Sequence, residues 1–206
     1  MTMKEILQEK EALIKKALCE NEAVTAWTLN TSETNRDEIY LIGKEVEQTR
    51  YIQEMVFFVA VLVDKEVDGE MMTGKVARSF TPEMTEEEIK EQVAEMVFAA
   101  GLALNPHFTL DEPRDNGRMY PNQDHDIVYD RKAALKVLRE RTVAAVDKEE
   151  GVRIASAEGF LTHNHNRETN SLGLEYECDT TRITYELVLL AGKGDDEVES
   201  HLIRHE

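Results

Sequence analysis

Two histidines at alternating positions are the strongest candidates for metal chemistry in this sequence. His163 and His165 are two residues apart, so on a β-strand both side chains face the same side of the sheet. Neutral imidazole is a common zinc ligand, and such a pair can begin a metal site. The neighbouring Asn164 and Asn166 are poor zinc ligands, however, and no third His or Cys lies nearby. We therefore favour a hydrogen-bonded surface pair over a metal site.

Two further groups combine histidine with carboxylates: His201 and His205 with Glu206, and Asp124-His125-Asp126. The first has helical i, i+4 spacing in a segment that predicts a strand, and no glutamate lies between its histidines as a His-Glu-x-x-His zinc motif requires. The second can act as an acid–base pair or bind a cation, but we favour ordinary loop polarity. Dinucleotide-binding, Walker, nucleophile-elbow and Cys-x-x-Cys motifs are missing. The residues alone therefore assign no catalytic, substrate-binding or metal-binding position.

The composition is that of an acidic globular chain. Its 206 residues are 41% hydrophobic and 32% charged, and the formal net charge is −18. A field of this sign repels phosphate backbones and anionic lipid, so we predict no nucleic-acid partner and no membrane partner. The longest apolar run, residues 55–63, is too short to span a bilayer, and the N-terminus has no signal-peptide pattern. With Cys19 and Cys178 predicted to be free thiols, these features predict a cytoplasmic protein.

Hydrophobic periodicity predicts three main helices, at residues 5–20, 86–103 and 131–147. The second begins with a capping-box pattern at Thr85 and Glu88. The predicted strands are residues 24–29, 38–42, 44–53, 55–63, 71–80, 152–157, 159–166, 174–178, 182–191 and 197–203. This order is typical of an α+β fold with a largely antiparallel sheet, rather than of βαβ alternation. The predicted core includes Phe57, Val59, Val61, Val93, Val97 and Leu138.

Residues 105–129 interrupt this pattern. They contain three of the four prolines and show no periodicity, which predicts a connecting strap without regular structure. We treat residues 1–206 as a single domain with two possible halves, 1–104 and 130–206, joined by this strap. Its apolar side chains need a protein surface to cover them: Phe108, Leu110, Met119 and Tyr120. We favour a surface of the chain's own domain over a subunit interface or the edge of a peptide groove.

The order of several short motifs resembles one known family. After the helix at 86–103 come NPHFTL at 105–110, EP at 112–113, YP at 120–121 and YD at 129–130, where a helix begins. Later, NS-x-G at 170–173 is followed by a strand with Arg182 and YELV at 185–188. This series resembles the N-terminal half of the TldD/PmbA proteins, which carry the name modulators of DNA gyrase and are regarded as zinc metallopeptidases.

The resemblance implies the N-terminal-domain fold of that family and a role in proteolysis. In that role this part of the protein encloses the peptide substrate and takes part in assembly as a homo- or hetero-dimer. The family's zinc site is built on His-Glu-x-x-x-His, and the only His-Glu here is His205-Glu206, so no ligand or catalytic residue carries over. We therefore expect neither peptidase activity nor a cofactor in this chain by itself, with zinc implied for a full-length family member.

Two other functions stay open at this point. The net charge suits a stand-alone acidic protein-interaction module that regulates a basic partner. A self-contained metal hydrolase would use His163, His165 and nearby carboxylates. The chain can be an N-terminal fragment or a stand-alone relative. A downstream His-Glu-x-x-x-His would favour the metallopeptidase portion, whereas stoichiometric zinc in the purified chain would favour the hydrolase.

Overall fold

A computed structural model describes residues 3–112 and 122–205 of the chain. The described residues form a seven-stranded sheet and four α-helices. The helices are α1 (Met3–Glu20), α2 (Glu86–Ala100), α3 (His125–Tyr129) and α4 (Arg131–Val146). The strands are β1 (Ala26–Ile42), β2 (Glu45–Val67), β3 (Glu70–Phe80), β4 (Leu104–Pro106), β5 (Val152–Asn170), β6 (Glu175–Ala191) and β7 (Val198–His205). None of these helices combines the length and the apolarity that crossing a bilayer requires.

The strand order in the sheet is β4-β3-β2-β1-β5-β6-β7, with antiparallel pairing. This confirms the predicted α+β class with an antiparallel sheet, and α1, α2 and α4 are the three predicted main helices. Neighbours in the sheet are mostly neighbours in sequence, as short connections between antiparallel strands require. The exception is the pairing of β1 with β5, which joins the strands that precede α2 to those that follow α4.

Helix α2 begins as the sequence predicts but ends earlier. Thr85 Oγ1 accepts a hydrogen bond from the Glu88 backbone amide at 3.3 Å, and Glu88 Oε2 accepts one from the Thr85 amide at 2.7 Å. The helix ends at Ala100 rather than at residue 103. At this end it touches β3 through the backbone, because a Cβ added to Gly74 would lie 1.8 Å from the Ala100 carbonyl oxygen. Only glycine permits that approach.

The strands are fewer and longer than predicted. β1 includes both residues 26–29 and residues 38–42, and β2 joins two predicted strands in the same way. β5 and β6 run through the predicted breaks at 158–159 and 179–181. Those predictions were wrong because the polar residues at the breaks lie within strands that are not apolar on both faces. Gly159 does not mark a turn: its missing Cβ would lie 3.0 Å from Ile39 Cγ2.

The prediction that residues 105–129 lack regular structure is wrong at both ends. β4 pairs antiparallel with β3, and α3 occupies the last five residues of the strap. Elements this short do not show a recognisable period. Asp124 Oδ1 accepts a hydrogen bond from the Ile127 amide at 3.1 Å in the first turn of α3. Of the predicted apolar side chains, Phe108 is exposed and Leu110 half-buried. Met119 and Tyr120 lie outside the described residues.

The chain divides into two compact units. Unit 1 comprises the described residues of Met1–Glu33, Met55–Tyr120 and Asn166–Cys178, and unit 2 those of Thr34–Glu54, Pro121–His165 and Asp179–Glu206. Because β1, β2, β5 and β6 each contribute residues to both units, the units differ from the sequential halves 1–104 and 130–206. That residues 1–206 form a single domain stays a prediction.

Each unit has its own hydrophobic core. In unit 1, α1 and α2 pack on the sheet around Phe57, Val59, Val61 and Val93, all predicted as core and all buried. In unit 2, Ile127 of α3 and residues of α4 pack against β1 and β5. Two predicted core residues are only half-buried, Val97 and Leu138. Each lies beside the buried stripe of its helix, which is centred on Met96 in α2 and on Leu135 in α4.

Candidate functional site

The sheet of unit 2 has one helix-covered face and one polar face. Ile39 and Leu41 of β1 lie in the hydrophobic core with α3 and α4. Because successive strand residues face opposite sides, their even-numbered neighbours lie on the other face. There β1, β2, β5 and β6 line a cavity of about 650 Å³, which we call the polar groove. Its charged and hydrogen-bonding side chains include Arg36, Glu38, Tyr40, Arg50, Asn164 and Arg182.

Glu38 is the buried acid of the polar groove. Its side chain is 3% exposed, so each carboxylate oxygen needs a partner within the protein. Arg36 Nε donates to Oε1 at 2.7 Å, and the Tyr40 hydroxyl donates to Oε2 at 2.8 Å. Both oxygens are therefore engaged. Glu38 holds Arg36 and Tyr40 in fixed positions on the face of the sheet.

Tyr40 forms an aromatic wall beside this acid. The Arg50 guanidinium lies 5.0 Å from the centre of its ring, a cation–π arrangement, and the Phe160 ring meets it edge-on at 6.0 Å. Burial raises the pKa of Tyr40 above its ordinary value, and the hydrogen bond to Glu38 and the charge of that carboxylate raise it further. Tyr40 is therefore a neutral hydrogen-bond donor at physiological pH.

Arginines outnumber glutamates in the polar groove. Arg36, Arg50 and Arg182 face Glu38 and Glu54, whereas the whole chain has 24 basic and 42 acidic residues. Arg50 also donates to Gln48 Oε1 at 3.2 Å. Arg182 and Glu54 are exposed, and neither side chain has a hydrogen bond or an ion pair to any residue in the described ranges 3–112 and 122–205. The residues that line the groove thus carry three positive and two negative charges in an acidic protein, and the charge of Glu158, outside the lining, also raises the pKa of Tyr40.

The arrangement suits binding more than covalent chemistry. The Thr34 hydroxyl donates to Asn164 Oδ1 at 2.8 Å, which leaves the amide nitrogen of Asn164 to donate to a ligand. Guanidinium groups add forked donors that match the two oxygens of a carboxylate. The lining described here contains threonine hydroxyls but no His, Cys or Ser that could act as an activated nucleophile with its base.

The histidine pair predicted from sequence shares one carboxylate. His163 Nε2 lies 3.0 Å and His165 Nδ1 lies 3.1 Å from the same Oδ1 of Asp179 in β6. Both histidines therefore have a hydrogen-bond partner, as the surface-pair interpretation requires. Across the described parts of the chain, no three or more His, Cys, Asp or Glu residues are grouped as metal ligands. Asp179 was not predicted because its closeness depends on the pairing of two strands.

The other histidine groups are dispersed. His201 Nε2 lies 3.7 Å from Glu186 Oε2 on the neighbouring strand, and its i, i+4 spacing to His205 falls on strand β7 rather than on a helix. Glu206 lies outside the described residues. Asp124 bonds the first turn of α3, and His125 stacks on Tyr129 with ring centres 6.3 Å apart. The side chain of Asp126, the third residue of this predicted cluster, lies outside the described residues.

Comparisons with known proteins add a relationship in fold. No family model and no curated protein matches the sequence. Solved structures do match. One is TldE from Thermococcus kodakarensis, with 16% sequence identity and a TM-score of 0.60; the match covers 96% of this chain and 42% of the TldE chain. A second is a proposed modulator of DNA gyrase from Thermotoga maritima, with 14% identity and a TM-score of 0.63; the match covers 99% of this chain and 43% of that one. A third is a proposed modulator of DNA gyrase from Bacteroides thetaiotaomicron, with 12% identity and a TM-score of 0.67; the match covers 96% of this chain and 45% of that one.

This chain has their fold. The resemblance to the TldD/PmbA proteins predicted from sequence is thereby confirmed at the level of structure. The chain spans less than half the length of each of these three proteins. At 12 to 16% identity the likeness concerns the fold alone.

Proposed function

We propose that this chain is the non-catalytic, substrate-enclosing and assembly portion of a TldD/PmbA-like zinc metallopeptidase that acts on peptides. The observation that carries this proposal is the match of nearly the whole chain to under half of TldE and of two related structures. This coverage supports a portion of such a protein as the counterpart of the chain, and the motif order in the sequence supports the N-terminal half.

In this proposal the catalytic zinc is held by residues other than those described here. A zinc peptidase needs about three protein ligands and a general base. The described residues do not fit that requirement, because His163 and His165 both contact Asp179 as hydrogen-bond partners and no group of three or more His, Cys, Asp or Glu among them is arranged to hold a metal ion. The contribution of this chain is then to bind and orient the peptide.

The polar groove supports the peptide-binding part of the proposal. A cavity of about 650 Å³ is within the usual size for ligand sites, and side chains of four strands line it. Threonine hydroxyls, the Asn164 amide and the guanidinium groups can meet the carbonyl and carboxylate oxygens of an extended peptide. Ile52 and Phe160 offer apolar contacts between these polar groups.

The proposal also includes a homo- or hetero-dimer in the cytoplasm, with a peptide or protein partner and without nucleic acid or membrane partners. The net charge of −18 supports the exclusion of nucleic acid and anionic lipid.

Peptide binding and peptide cleavage test the proposal together. Fluorescently labelled, unstructured peptides of mixed composition are titrated with the chain, with the same label on a folded protein as the control. We expect saturable binding of the unstructured peptides only. Mass spectrometry should show these peptides intact after incubation, with or without added zinc. No binding of any peptide, or chelator-sensitive cleavage that survives further purification, would contradict the proposal.

The charge of the chain favours a second candidate, a stand-alone acidic interaction module for a basic partner. Such a module would bind lysine-rich peptides more tightly than any other class, and its affinity would fall steeply with salt. Its binding would also be unaffected by substitutions of the groove arginines. The same titrations, repeated at two salt concentrations, distinguish the two candidates.

A further inference from the structure

The polar groove reverses the charge of the protein in one place. An arriving ligand meets Arg36, Arg50 and Arg182, all on the same face, and one exposed carboxylate, Glu54. The second acid, Glu38, is buried and already accepts hydrogen bonds from Arg36 and Tyr40. The lining therefore carries three positive and two negative side chains in a chain of net charge −18, and its guanidinium groups are favourable partners for an anionic group.

Two of these arginines are held in position before any ligand arrives. Arg36 is held through its Nε by Glu38 at 2.7 Å, and this contact uses only one of the five N–H donors of the guanidinium. Arg50 is held over the Tyr40 ring and by Gln48. Ordering a long side chain in advance removes part of the entropy cost of binding. Arg182, exposed on β6, adds a guanidinium with no hydrogen bond or ion pair elsewhere in the described residues.

We infer that the polar groove binds a carboxylate group of the peptide, supplied by an acidic side chain or by the C-terminus. The inference rests on the proposed function and specifies its substrate class. The planar guanidinium fork matches the two oxygens of a carboxylate, and the single bond from Arg36 Nε to Glu38 leaves the other donors of Arg36 for such a contact. The Asn164 amide, oriented by Thr34, is placed to donate to a neighbouring peptide carbonyl.

A carboxylate fits better than a phosphate, although guanidinium groups bind both. A phosphate dianion would bring twice the charge next to Glu38 and Glu54 and into the field of a chain with net charge −18. The groove is also lined by the apolar surfaces of Ile52, Phe160 and the Tyr40 ring. These surfaces can pack against the methylene groups of an acidic side chain and against neighbouring side chains of the peptide.

Four labelled peptides of one length and sequence test this inference. The first has a central Glu and an amidated C-terminus; the second has Gln in place of Glu; the third is the Gln peptide with a free C-terminus; the fourth has Lys. Each is titrated against the chain and against the variants Arg182→Gln, Arg50→Gln and Arg141→Gln. Arg141 is the matched control, because it is an exposed arginine of α4 outside the groove and its replacement changes the net charge equally.

We expect the Glu peptide, the free-acid peptide or both to bind about tenfold more tightly than the amidated Gln peptide, as hydrogen bonds to a charged partner imply. Whichever peptide shows the gain identifies the source of the carboxylate. Arg182→Gln and Arg50→Gln should remove most of the gain, and Arg141→Gln should leave it within about twofold. Unchanged melting temperatures of Arg182→Gln and Arg141→Gln show that the loss is local.

Three results would overturn the inference. Equal affinity for the Glu, free-acid and amidated Gln peptides would show that carboxylates are not recognised, while leaving peptide binding itself intact. Stronger competition by inorganic phosphate than by acetate at equal ionic strength would make the groove a phosphate site. Tightest binding of the Lys peptide, unaffected by Arg182→Gln, would favour the acidic interaction module. If none of the four peptides binds, the proposed function fails as well.

Discussion

Each unit of the molecule contains a buried glutamate beside an arginine, and the two clusters are built differently. In unit 1, Glu11 accepts hydrogen bonds from Arg167 at 2.6 Å and from the Thr31 hydroxyl at 2.7 Å. The same guanidinium contacts Glu175 and lies 3.4 Å from Glu177. In unit 2, Glu38 is bonded by Arg36 and Tyr40, and two further arginines share its groove.

The two clusters differ in the ratio of guanidinium donors to carboxylate acceptors. Around Arg167, three carboxylates share one guanidinium: Nη1 donates to Glu11, Nη2 donates to Glu175, and Nε lies 3.4 Å from Glu177 without a hydrogen bond. Around Glu38, three guanidinium groups exceed the acceptors that the protein supplies. A cluster of the first kind neutralises its charges within the fold, whereas one of the second kind leaves donors over, as the proposed ligand site requires. An arginine–glutamate contact is therefore informative about function only after its neighbours have been counted.

The largest effect is expected in unit 1, from Arg167→Met. The side chain of Glu11 is 5% exposed, and the substitution leaves it with Thr31 and with Lys15 at 3.9 Å. Removing one partner of a buried ion pair costs about 3–5 kcal/mol, because the remaining charge stays buried. Urea unfolding should show this loss. The double variant Glu11→Leu with Arg167→Met should recover most of it, and a single-variant loss below about 1 kcal/mol would contradict the structural role.

A smaller effect is expected in unit 2, from Glu38→Gln. Arg36 is 33% exposed, so water can replace part of the lost contact, and we expect a loss of about 1–2 kcal/mol in unfolding free energy. The same variant should weaken binding of a carboxylate peptide because Arg36 is no longer held. Glu54→Gln is the control, since Glu54 is exposed and we expect no measurable change in stability. Equal losses from the two variants would mean that Glu38 does not organise the groove.

Alkaline pH should separate the two clusters further. The pKa of Tyr40 is raised in the folded state, mainly by burial and then by Glu38. Its contribution to stability is therefore fully present below the ordinary tyrosine pKa of about 10 and is lost as the pH rises through the raised pKa. Above about pH 10 the wild-type chain should lose stability relative to Tyr40→Phe. Tyr129→Phe, at an 85% exposed position, should show no such difference in urea unfolding across the same pH range.

The sequence predicts the helices better than the groove, for a physical reason. The capping box of Thr85 and Glu88 and the apolar stripe of α2 are local, so a few consecutive residues determine them. The groove arginines lie on three strands, and their closeness follows from the order β2-β1-β5-β6, in which β1 and β5 are far apart in sequence. The pairing of His163 with Asp179 was missed for the same reason.

Polar strands explain the remaining differences between the predicted and the observed strands. Residues 30–38 contain almost no apolar side chain, which is typical of a connection, yet they continue β1. They lie in a strand because their amides pair within the sheet while one face stays polar. The signal that was available is the alternation of Thr34, Arg36, Glu38 and Tyr40. A two-residue period in a polar segment predicts a strand with an exposed face, and hence a surface on which side chains can be arranged for binding.

The smallest effect is expected at acid pH, from an exposed cluster of unit 1. Hydrogen bonds from Lys16 and Lys90 lower the pKa of Glu86 from 4.5 to about 2. Because the folded-state pKa is depressed, the contribution of Glu86 is present above its ordinary pKa and is lost as the pH falls from 4.5 towards 2. The group is exposed, so salt screens it, and Glu86→Gln should differ from wild type only slightly and mainly at low ionic strength. Urea unfolding at two salt concentrations measures this. Glu91→Gln, at an exposed position of the same helix, is the control. The prediction fails if Glu86→Gln lowers the free energy of unfolding as much as Glu38→Gln does, independently of salt. An exposed carboxylate would then contribute as much to stability as the buried one in the groove.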